Sequence, residues 1–210
     1  MMLLVLEVLH LIVGAEQEQN KLRAQYAYHE LQENLPKRSK AYDVVLLEGQ
    51  PYRKLVEING KPLSPKEAKT VEADMLKTSK QRRRGTIFKR TYRMNIGNFA
   101  DLEKTHELSL EENVITATPK TRAPYRHRIT YNPKTFVVLA HEAELIGPGT
   151  ELKPGTIVRR FFSKEQDEAW LLRRMEIDFK VTFASGKQIN SFTNYRKFDV
   201  ASTITFADPQ

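Results

Sequence analysis

The sequence predicts a mainly β domain of the α+β class, an antiparallel meander with one helical insertion, from three observations. The first is residues 173–183, where apolar and polar side chains alternate. Successive side chains of a strand point to opposite faces, so this alternation predicts a β-strand with one apolar and one solvated face. One strand cannot bury its own apolar face, so other parts of the chain are expected to cover it. If the cover is permanent the face is part of the core, and if the cover can move away the face is a binding site. The apolar face carries Met175, Ile177, Phe179, Val181 and Phe183.

The second observation is a series of turn motifs between runs rich in β-branched and aromatic residues. Asn59-Gly60 is a strong hairpin signal, because both residues tolerate positive φ. Residues 111–113 and 132–134 predict two further hairpins, and such spacing is typical of an antiparallel sheet. Strands are predicted at residues 24–30 (with a helix as the alternative), 41–47, 52–58, 102–110, 114–118, 125–131, 135–145, 156–162, 169–183 and 187–198, with Ser185-Gly186 as the last tight turn and 200–206 as an edge strand or tail.

The third observation is a helix start within this series of strands. Ser64 has the position of an N-cap, Pro65 suits the first helical turn, and Glu67 completes a capping box. The helix is predicted to end near Arg84, with a second helix after it, so that the insertion covers about residues 64–97. Its apolar stripe is thin, which indicates a helix lying on a surface. The stripe consists of Ala68, Val71, Met75 and Leu76.

Composition restricts the class of protein. The 210 residues are 40% hydrophobic and 29% charged, which is typical of a globular chain and not of a disordered one. The net charge of +8 favours anionic partners without naming one. The sequence has no cysteine, which excludes disulfides, thiolate metal sites, cysteine nucleophiles and the lipid-carrying cysteine of a lipoprotein anchor.

Residues 1–15 are predicted to be a secretory signal peptide. The apolar run is shorter than the roughly 20 residues of a transmembrane helix, and Val13 and Ala15 stand at positions −3 and −1 of a cleavage site. Two features oppose this interpretation: no basic residue precedes the run, and a glutamate and a histidine interrupt it. The alternative is a buried N-terminal helix. Residues 16–210 are predicted to form a single domain.

No constellation of residues predicts catalysis. The five histidines are far apart in the sequence and lack the spacing of metal ligands, so no zinc or iron site and no cofactor is expected. No nucleophile elbow or phosphate-binding loop is present. Glu142 and Glu144 share one face of a predicted strand, as an acid–base pair does, but a solvated face is the favoured interpretation.

A run of basic residues with interleaved aromatic residues follows the predicted helix. Such a run is able to bind the phosphates of nucleic acid or lipid. Cations also gather at the C-terminal end of a solvated helix, and this second interpretation is favoured. The run consists of Lys80, Arg82, Arg83, Arg84, Lys89, Arg90 and Arg93.

Three passages together indicate a family. They are Tyr42-Asp-Val-Val-Leu-Leu-Glu-Gly-Gln-Pro-Tyr-Arg-Lys-Leu with Asn59-Gly-Lys-Pro-Leu-Ser, Ile129-Thr-Tyr-Asn-Pro-Lys followed by residues 137–145, and Thr193-Asn-Tyr-Arg-Lys-Phe. This order resembles the bacterial outer-membrane lipoprotein-sorting proteins of the LolA/LolB-like superfamily, in a divergent branch, over about residues 20–198. The resemblance implies an unclosed antiparallel β-barrel with an apolar concave side and helices that act as a lid. It rests on structural and not on catalytic motifs.

The resemblance also implies a site that needs no polar chemistry, because acyl burial at about 0.8 kcal/mol per CH₂ supplies affinity. The predicted ligand-binding residues of the concave face are Trp170, Leu172, Met175, Ile177, Phe179, Val181 and Phe183. Whether Trp170 and Leu172 continue the face of the even-numbered or of the odd-numbered side chains depends on the position of a bulge. The predicted lid contacts are Val71, Met75 and Phe88. The residues predicted to dock on an anionic surface are Arg82, Arg83, Arg84, Lys89, Arg90 and Arg93.

The function expected from these features is that of a non-enzymatic, monomeric periplasmic carrier without cofactor. Its cargo is a lipid, a lipoprotein or another amphiphile, and an inner- or outer-membrane partner is expected. The absence of cysteine separates the chain from the lipid-anchored LolB-type acceptor. Two alternatives remain: a basic cytoplasmic β-protein that binds nucleic acid through residues 80–93, and a structural envelope protein with a filled core and no ligand.

Overall fold

The computed structural model describes residues 2–35, 38–48, 50–84, 99–120, 123–147, 152–165, 169–198 and 203–204. The chain divides into two compact units. We call them the first unit, which is Met1–Ala24 with Arg93–Ile189, and the second unit, which is Gln25–Tyr92 with Asn190–Gln210. Each unit is described by itself.

The secondary structure is mainly β, as predicted. The elements in chain order are α1 (Met2–Arg23), β1 (Tyr26–Leu35), β2 (Arg38–Leu47), β3 (Gln50–Ile58), β4 (Lys61–Pro62), α2 (Pro65–Arg83), a 3-10 helix (Phe99–Asp101), α3 (Leu102–Thr105), β5 (His106–Glu111), β6 (Val114–Pro119), β7 (Tyr125–Tyr131), β8 (Val138–Leu145), β9 (Ile157–Lys164), β10 (Trp170–Val181), β11 (Ala184–Lys197) and β12 (Thr203–Ile204). Among the described residues, none of the helices combines the length and the hydropathy that crossing a bilayer would need.

Each unit contains one run of neighbouring strands. The order is β11-β10-β9-β8-β7-β6-β5 in the first unit and β4-β3-β2-β1-β11 in the second, because β11 contributes its two halves to different units. β12 adds a short parallel pairing to β2. Over the described ranges the strand order has two ends, β4 and β5, so the sheet is not closed. The predicted mainly β fold, an unclosed antiparallel sheet with a helical insertion, is confirmed.

Helix α1 supplies the core of the first unit. Its Val5, Leu9 and Ile12 pack with Ile115 and Ile129 of β6 and β7, and none of the five side chains is more than 3% exposed. Most of the segment predicted as a signal peptide is therefore helical, and one face of this helix is buried in the core. Cleavage after residue 15 stays a prediction, and it would remove these buried side chains of α1 from the core.

Residues 102–105 form helix α3 and not the start of a strand. Leu102 is buried in the core of the first unit. Thr105 Oγ1 donates a hydrogen bond to the carbonyl oxygen of Asp101 at 2.8 Å, four residues back, as in a helical turn. Leu, Glu and Lys are good helix formers, which the sequence interpretation did not weigh. β5 therefore begins at His106.

The last hairpin turns at Thr182-Phe183, and the predicted turn at Ser185-Gly186 is wrong. Both Ser185 and Gly186 lie within β11. The reason for a glycine at this position is packing: a Cβ on Gly186 would lie 2.6 Å from Cζ of Phe179 in the neighbouring strand. A glycine in a strand commonly marks such a close approach.

Candidate functional site

An apolar cavity lies between α2 and β3 in the second unit. Its volume is about 360 Å³. Its lining combines the two predicted lid residues within the described range with apolar side chains from other elements and two charged residues. The apolar lining is Leu55, Leu63, Ala68, Val71, Met75 and Ile204, and the charged lining is Lys54 and Glu72.

The sequence places α2 over this cavity by capping its first turn. Ser64 N donates to Glu67 Oε2 at 2.8 Å, and Glu67 N donates to Ser64 Oγ at 3.4 Å, so the predicted capping box is confirmed. The Ser64 hydroxyl also donates to Glu67 Oε2 at 2.6 Å. The hydrogen bonds from this hydroxyl and from the Ser64 backbone N–H lower the pKa of the Glu67 carboxyl. Met75 is 5% exposed, and residues 71–74 and 76–78 around it are partly or fully exposed. The thin stripe thus rests on β3 while most of the helix faces solvent.

The C-terminal end of α2 is held by polar contacts instead. Ser79, fully buried, donates from Oγ to Glu48 Oε1 at 2.6 Å. The guanidinium of Arg82 donates to three backbone carbonyl oxygens around the β2–β3 turn at 2.6, 2.8 and 2.9 Å, those of Leu47, Gln50 and Pro51. We call Ser79 and Arg82, with these partners, the C-terminal latch. Hydrogen bonds from a charged donor to carbonyls are among the stronger ones in proteins.

The C-terminal latch changes the interpretation of the basic run. Arg82 is engaged by carbonyls of its own chain, and Arg83 Nε lies 3.3 Å from Glu48 Oε1. Neither guanidinium is therefore a free cation for an anionic surface. Arg84, the C-cap of α2, is exposed. The other residues singled out in this segment, Phe88, Lys89, Arg90 and Arg93, lie outside the described residues.

We expect Arg82→Met to loosen the C-terminal turns of α2. The change removes three charge-assisted hydrogen bonds and is expected to cost about 2 kcal/mol. Hydrogen exchange measured by mass spectrometry should show faster exchange over residues 77–83 than in the unchanged protein. Arg84→Met is the matched control, since it removes an exposed arginine from the same helix end. Equal exchange in the two variants would contradict the assigned role of Arg82.

The predicted ligand face of β10 lies within the first unit. The pairing with β9 shifts register between Leu172 and Arg174. Leu172 pairs with Phe162 and Ile177 with Val158, and these partners are four residues apart in one strand, so they share a face. With this register shift, Trp170 and Leu172 lie on the same face as Met175 and Ile177.

This face is filled by the protein's own side chains where the structure defines its contacts. Met175 and Ile177 pack against the buried Ala143 and Val158. Phe179 lies over Gly186, and Val181 is partly buried. Phe183 is not on this face: it stands in the turn after β10 and is 98% exposed. A ligand-binding role for the remaining residues stays a prediction.

Helix α1 also seals the start of β10. Gln19 Oε1 accepts a hydrogen bond from the backbone N–H of Trp170 at 2.7 Å, and Arg23 Nε donates to the carbonyl oxygen of Trp170 at 2.7 Å. The guanidinium of Arg23 lies 4.5 Å from the ring centre of Phe162 on β9. With α1 present, the part of this face formed by β6, β7 and the start of β10 is thus covered.

Three histidines that are distant in the sequence meet in that core. His106, His127 and His141 are 7% exposed or less, and His127 Nδ1 lies 3.0 Å from His141 Nε2. Arg160 Nη2 donates to His141 Nδ1 at 2.6 Å. Because a guanidinium only donates, His141 Nδ1 accepts, and its Nε2–H donates to His127. We call Arg160, His141 and His127 the Arg–His–His chain.

The Arg–His–His chain needs neutral imidazoles. Burial, with the nearby His106 and Arg160, lowers the pKa of His127 to about 4. Burial and Arg160 lower the pKa of His141 well below its usual value. In the part of the chain that the structure describes, no group of three or more His, Cys, Asp or Glu side chains has the arrangement of a metal site. Counting outward from the 132–134 turn would have placed His127 and His141 on neighbouring strands, which the search for ligand spacing missed.

The paired glutamates of β8 are engaged by arginines. Glu142 Oε2 accepts from Arg159 Nε at 2.7 Å, and Arg159 also donates to Asp178 at 2.6 Å. Glu144 forms an ion pair with Arg126. Carboxylates neutralised in this way on a half-exposed face agree with the interpretation as a solvated face.

Comparisons with known proteins find structural neighbours only. No protein-family model and no curated protein matches the chain. The structure is similar to a DUF1329 family protein from Desulfovibrio piger, with 14% identity, a TM-score of 0.40 and 93% of each chain covered. It is also similar to a "putative outer membrane lipoprotein-sorting protein domain" from Vibrio parahaemolyticus, with 14% identity, a TM-score of 0.40, and 88% of this chain and 91% of that chain covered. The predicted resemblance is thus found among the neighbours, but similarity at this level carries no argument about function.

Proposed function

We propose that this protein is a non-enzymatic carrier that holds an acyl chain of a lipid, a lipoprotein or another amphiphile in the cavity under α2. The observation that carries the proposal is the cavity itself, about 360 Å³ in volume and lined mainly by aliphatic side chains. Ligand sites commonly have volumes of about 300–1,000 Å³ and are predominantly apolar. Roughly ten buried methylene groups would supply about 8 kcal/mol before the costs of association.

The charged residues of the lining give the ligand an orientation. Lys54 and Glu72 are the two charged side chains there, and the remaining lining is apolar. An anionic headgroup would lie beside the ammonium group of Lys54, with its acyl chain directed toward Leu55, Val71 and Met75. A neutral hydrocarbon would gain nothing from Lys54, so an amphiphile is the preferred class.

Helix α2 would act as a lid that opens from its N-terminal end. The C-terminal latch holds Ser79 and Arg82 to the β2–β3 turn, and Tyr52 Oη of β3 donates to Asp74 Oδ2 in the middle of α2 at 2.6 Å. Ala68 and Val71, nearer the N-terminal end, are apolar lining residues of the cavity. Segments held by few buried apolar contacts open at low free-energy cost. A lid fixed at one end would admit a chain without losing its register on β3.

The proposed location is the periplasm, and a membrane partner is part of the proposal. The apolar run within residues 1–15 supports export, while its burial as part of α1 supports retention of the same segment in the folded protein. N-terminal sequencing of protein recovered from a periplasmic extract separates export with cleavage from export without it. Recovery from the cytosol alone would contradict the proposed location.

The carrier proposal is tested by binding of a fluorescent acyl probe. Val71→Asp places a carboxylate in the lining, and we expect it to weaken probe binding at least tenfold, because an unpaired charge would be buried beside the acyl chain. Ala73→Asp is the matched control: it adds the same charge two residues away on an exposed position of α2. Thermal unfolding followed by circular dichroism confirms that both variants fold. No probe binding by the unchanged protein, or equal binding by both variants, would refute the proposal.

A further inference from the structure

The turn between β10 and β11 presents an aromatic side chain to solvent. Phe183 is 98% exposed, while the other exposed large apolar residues among those described reach 76% at most. A single exposed apolar residue needs no explanation by itself. Phe183 is unusual because of its surroundings, which have three separate features.

The first feature is a rigid stem. The ring of Phe179 in β10 packs directly over Gly186 in β11, in a space that any Cβ at Gly186 would occupy. The turn itself has only two residues, Thr182 and Phe183. A stem locked by cross-strand packing holds Phe183 outward and prevents it from folding back onto the apolar face of its own strand.

The second feature is a pair of lysines near the tip. Lys180 is exposed on β10, three residues before Phe183. Lys153 is exposed on the loop before β9, and its backbone N–H donates to the carbonyl oxygen of Lys180 at 2.8 Å, which places that loop beside the stem. Gly155 of the same loop lies under the Lys180 side chain. Two exposed ammonium groups therefore accompany the aromatic tip.

The third feature is the absence of free negative charge along the described stem. The segment from Phe179 to Lys187 contains no aspartate or glutamate. The nearest carboxylates in β10 are both occupied: Asp178 by Arg159 at 2.6 Å, and Glu176 by Lys187 at 2.8 Å and Arg174 at 2.7 Å. Within the described hairpin, the tip thus combines an exposed aromatic ring with lysines that the paired carboxylates of β10 do not neutralise.

We propose that this tip docks the protein on an anionic lipid bilayer, with Phe183 inserted at the interface and Lys153 and Lys180 against the headgroups. Aromatic side chains are favoured at the boundary between headgroups and acyl chains. Lysines near an anionic membrane surface each add an attraction that salt weakens. Nucleic acid would engage the lysines but offers an isolated aromatic tip no apolar layer to enter, so a bilayer fits the combination better.

The test is sedimentation with vesicles of phosphatidylcholine alone and of phosphatidylcholine with phosphatidylglycerol. The unchanged protein is expected to bind the anionic vesicles and not the neutral ones. Phe183→Ser and the double variant Lys153→Gln, Lys180→Gln are each expected to lower the partition coefficient about tenfold. Leu35→Ser is the matched control for Phe183, because Leu35 is a 50% exposed apolar residue elsewhere, and it should bind like the unchanged protein.

A second readout reports insertion directly. The sequence has one tryptophan, so Phe183→Trp in a Trp170→Phe background places the only indole at the tip. Its emission should shift to shorter wavelength with anionic vesicles. An unchanged emission would overturn the proposal. Tight binding by Phe183→Ser together with weakened binding by the lysine variant would overturn it too, because the tip would then bind polyanions through its lysines alone.

The two proposals fail in distinguishable ways. Without vesicles, Phe183→Ser should bind the acyl probe as the unchanged protein does, because the tip and the cavity share no residue. Loss of probe binding in Phe183→Ser would place Phe183 in the ligand site and overturn its role as a membrane tip. Failure of Val71→Asp to weaken probe binding would leave the tip proposal untouched.

Discussion

A chain that lacks residues 1–15 is expected to lose the cooperative core of its first unit. The deletion removes Val5, Val8, Leu9 and Ile12, all of which are buried. Burial of such a side chain contributes about 1.5–3 kcal/mol, so the loss is comparable to the roughly 5–15 kcal/mol that stabilises a whole domain. Thermal unfolding followed by circular dichroism should show a lower and broader transition. Binding of a dye specific for exposed apolar surface should rise at the same time.

Point changes on α1 separate the loss of buried contacts from the loss of helix. Leu9→Ala is expected to lower the free energy of unfolding by about 2–5 kcal/mol, the range for buried leucines. Leu11→Ala, in the same helix but at a 51% exposed position, should stay within about 0.5 kcal/mol of the unchanged protein. Equal effects at the two positions would contradict the packing of α1 described above.

The outcome for the truncated chain also decides what covers the first unit's apolar face. With α1 in place, Ile115 and Ile129 are fully buried. If the exported protein begins after residue 15, that face loses most of its cover and becomes a second surface for apolar cargo. If the segment is retained, α1 is a permanent cover and the cavity under α2 is the ligand site.

The second large effect is a loss of stability in the first unit on mild acidification. The folded state holds His127 neutral, with a pKa of about 4 against the usual 6.5. Between these values the unfolded chain binds more protons, so stability is fully present above pH 6.5 and falls as the pH approaches 4. At about 1.4 kcal/mol per pKa unit, His127 alone accounts for about 3 kcal/mol.

The groups around His127 act in the same direction. His106 on β5 and Arg160 on β9 both disfavour a second positive charge there. Protonation of His127 Nδ1 would also remove the acceptor for His141 Nε2–H, which breaks the Arg–His–His chain. Glu16 of α1 acts on Arg160 and not on His127 directly.

Denaturant unfolding at a series of pH values from 7 to 4.5 measures this effect. His127→Gln should flatten the dependence, because a glutamine cannot take up the proton that the unfolded chain binds. His29→Gln serves as the control, since His29 is partly exposed in the second unit and its partner is Asp43 at 2.9 Å. An unchanged slope in His127→Gln would contradict the account of the buried histidines.

Local sequence signals predicted the parts of the fold that are set by neighbouring residues. The Asn59-Gly60 turn has positive φ at both residues, 53° and 71°, and the Ser64 capping box is present as expected. The spacing of apolar residues identified the thin stripe of α2, and two of its members, Val71 and Met75, line the cavity. Each of these features depends on residues within one or two turns of chain.

The parts that sequence reasoning missed depend on contacts across the fold. Leu55, Leu63 and Ile204 line the cavity from three separate segments of the chain. The parallel pairing of β12 with β2 could not be predicted from a turn motif, because the two strands are far apart in the sequence. Phe183 continued the alternation of β10 in the sequence, yet the chain turns at Thr182-Phe183, and Gly186 lies in β11 under the ring of Phe179. In the sequence, Arg82 looks like a surface cation. Its hydrogen bonds to backbone carbonyls of the β2–β3 turn are visible only in the folded structure.

Photo-cross-linking with a diazirine-bearing fatty acid, followed by peptide mapping, tests the central claim most directly. The claim predicts adducts on the peptides that carry Leu55 and residues 68–75, and their loss in Val71→Asp but not in Ala73→Asp. Adducts confined to residues 175–181 of β10 would contradict the claim and place the ligand site on the face predicted from the sequence. No adduct anywhere would contradict the carrier function itself.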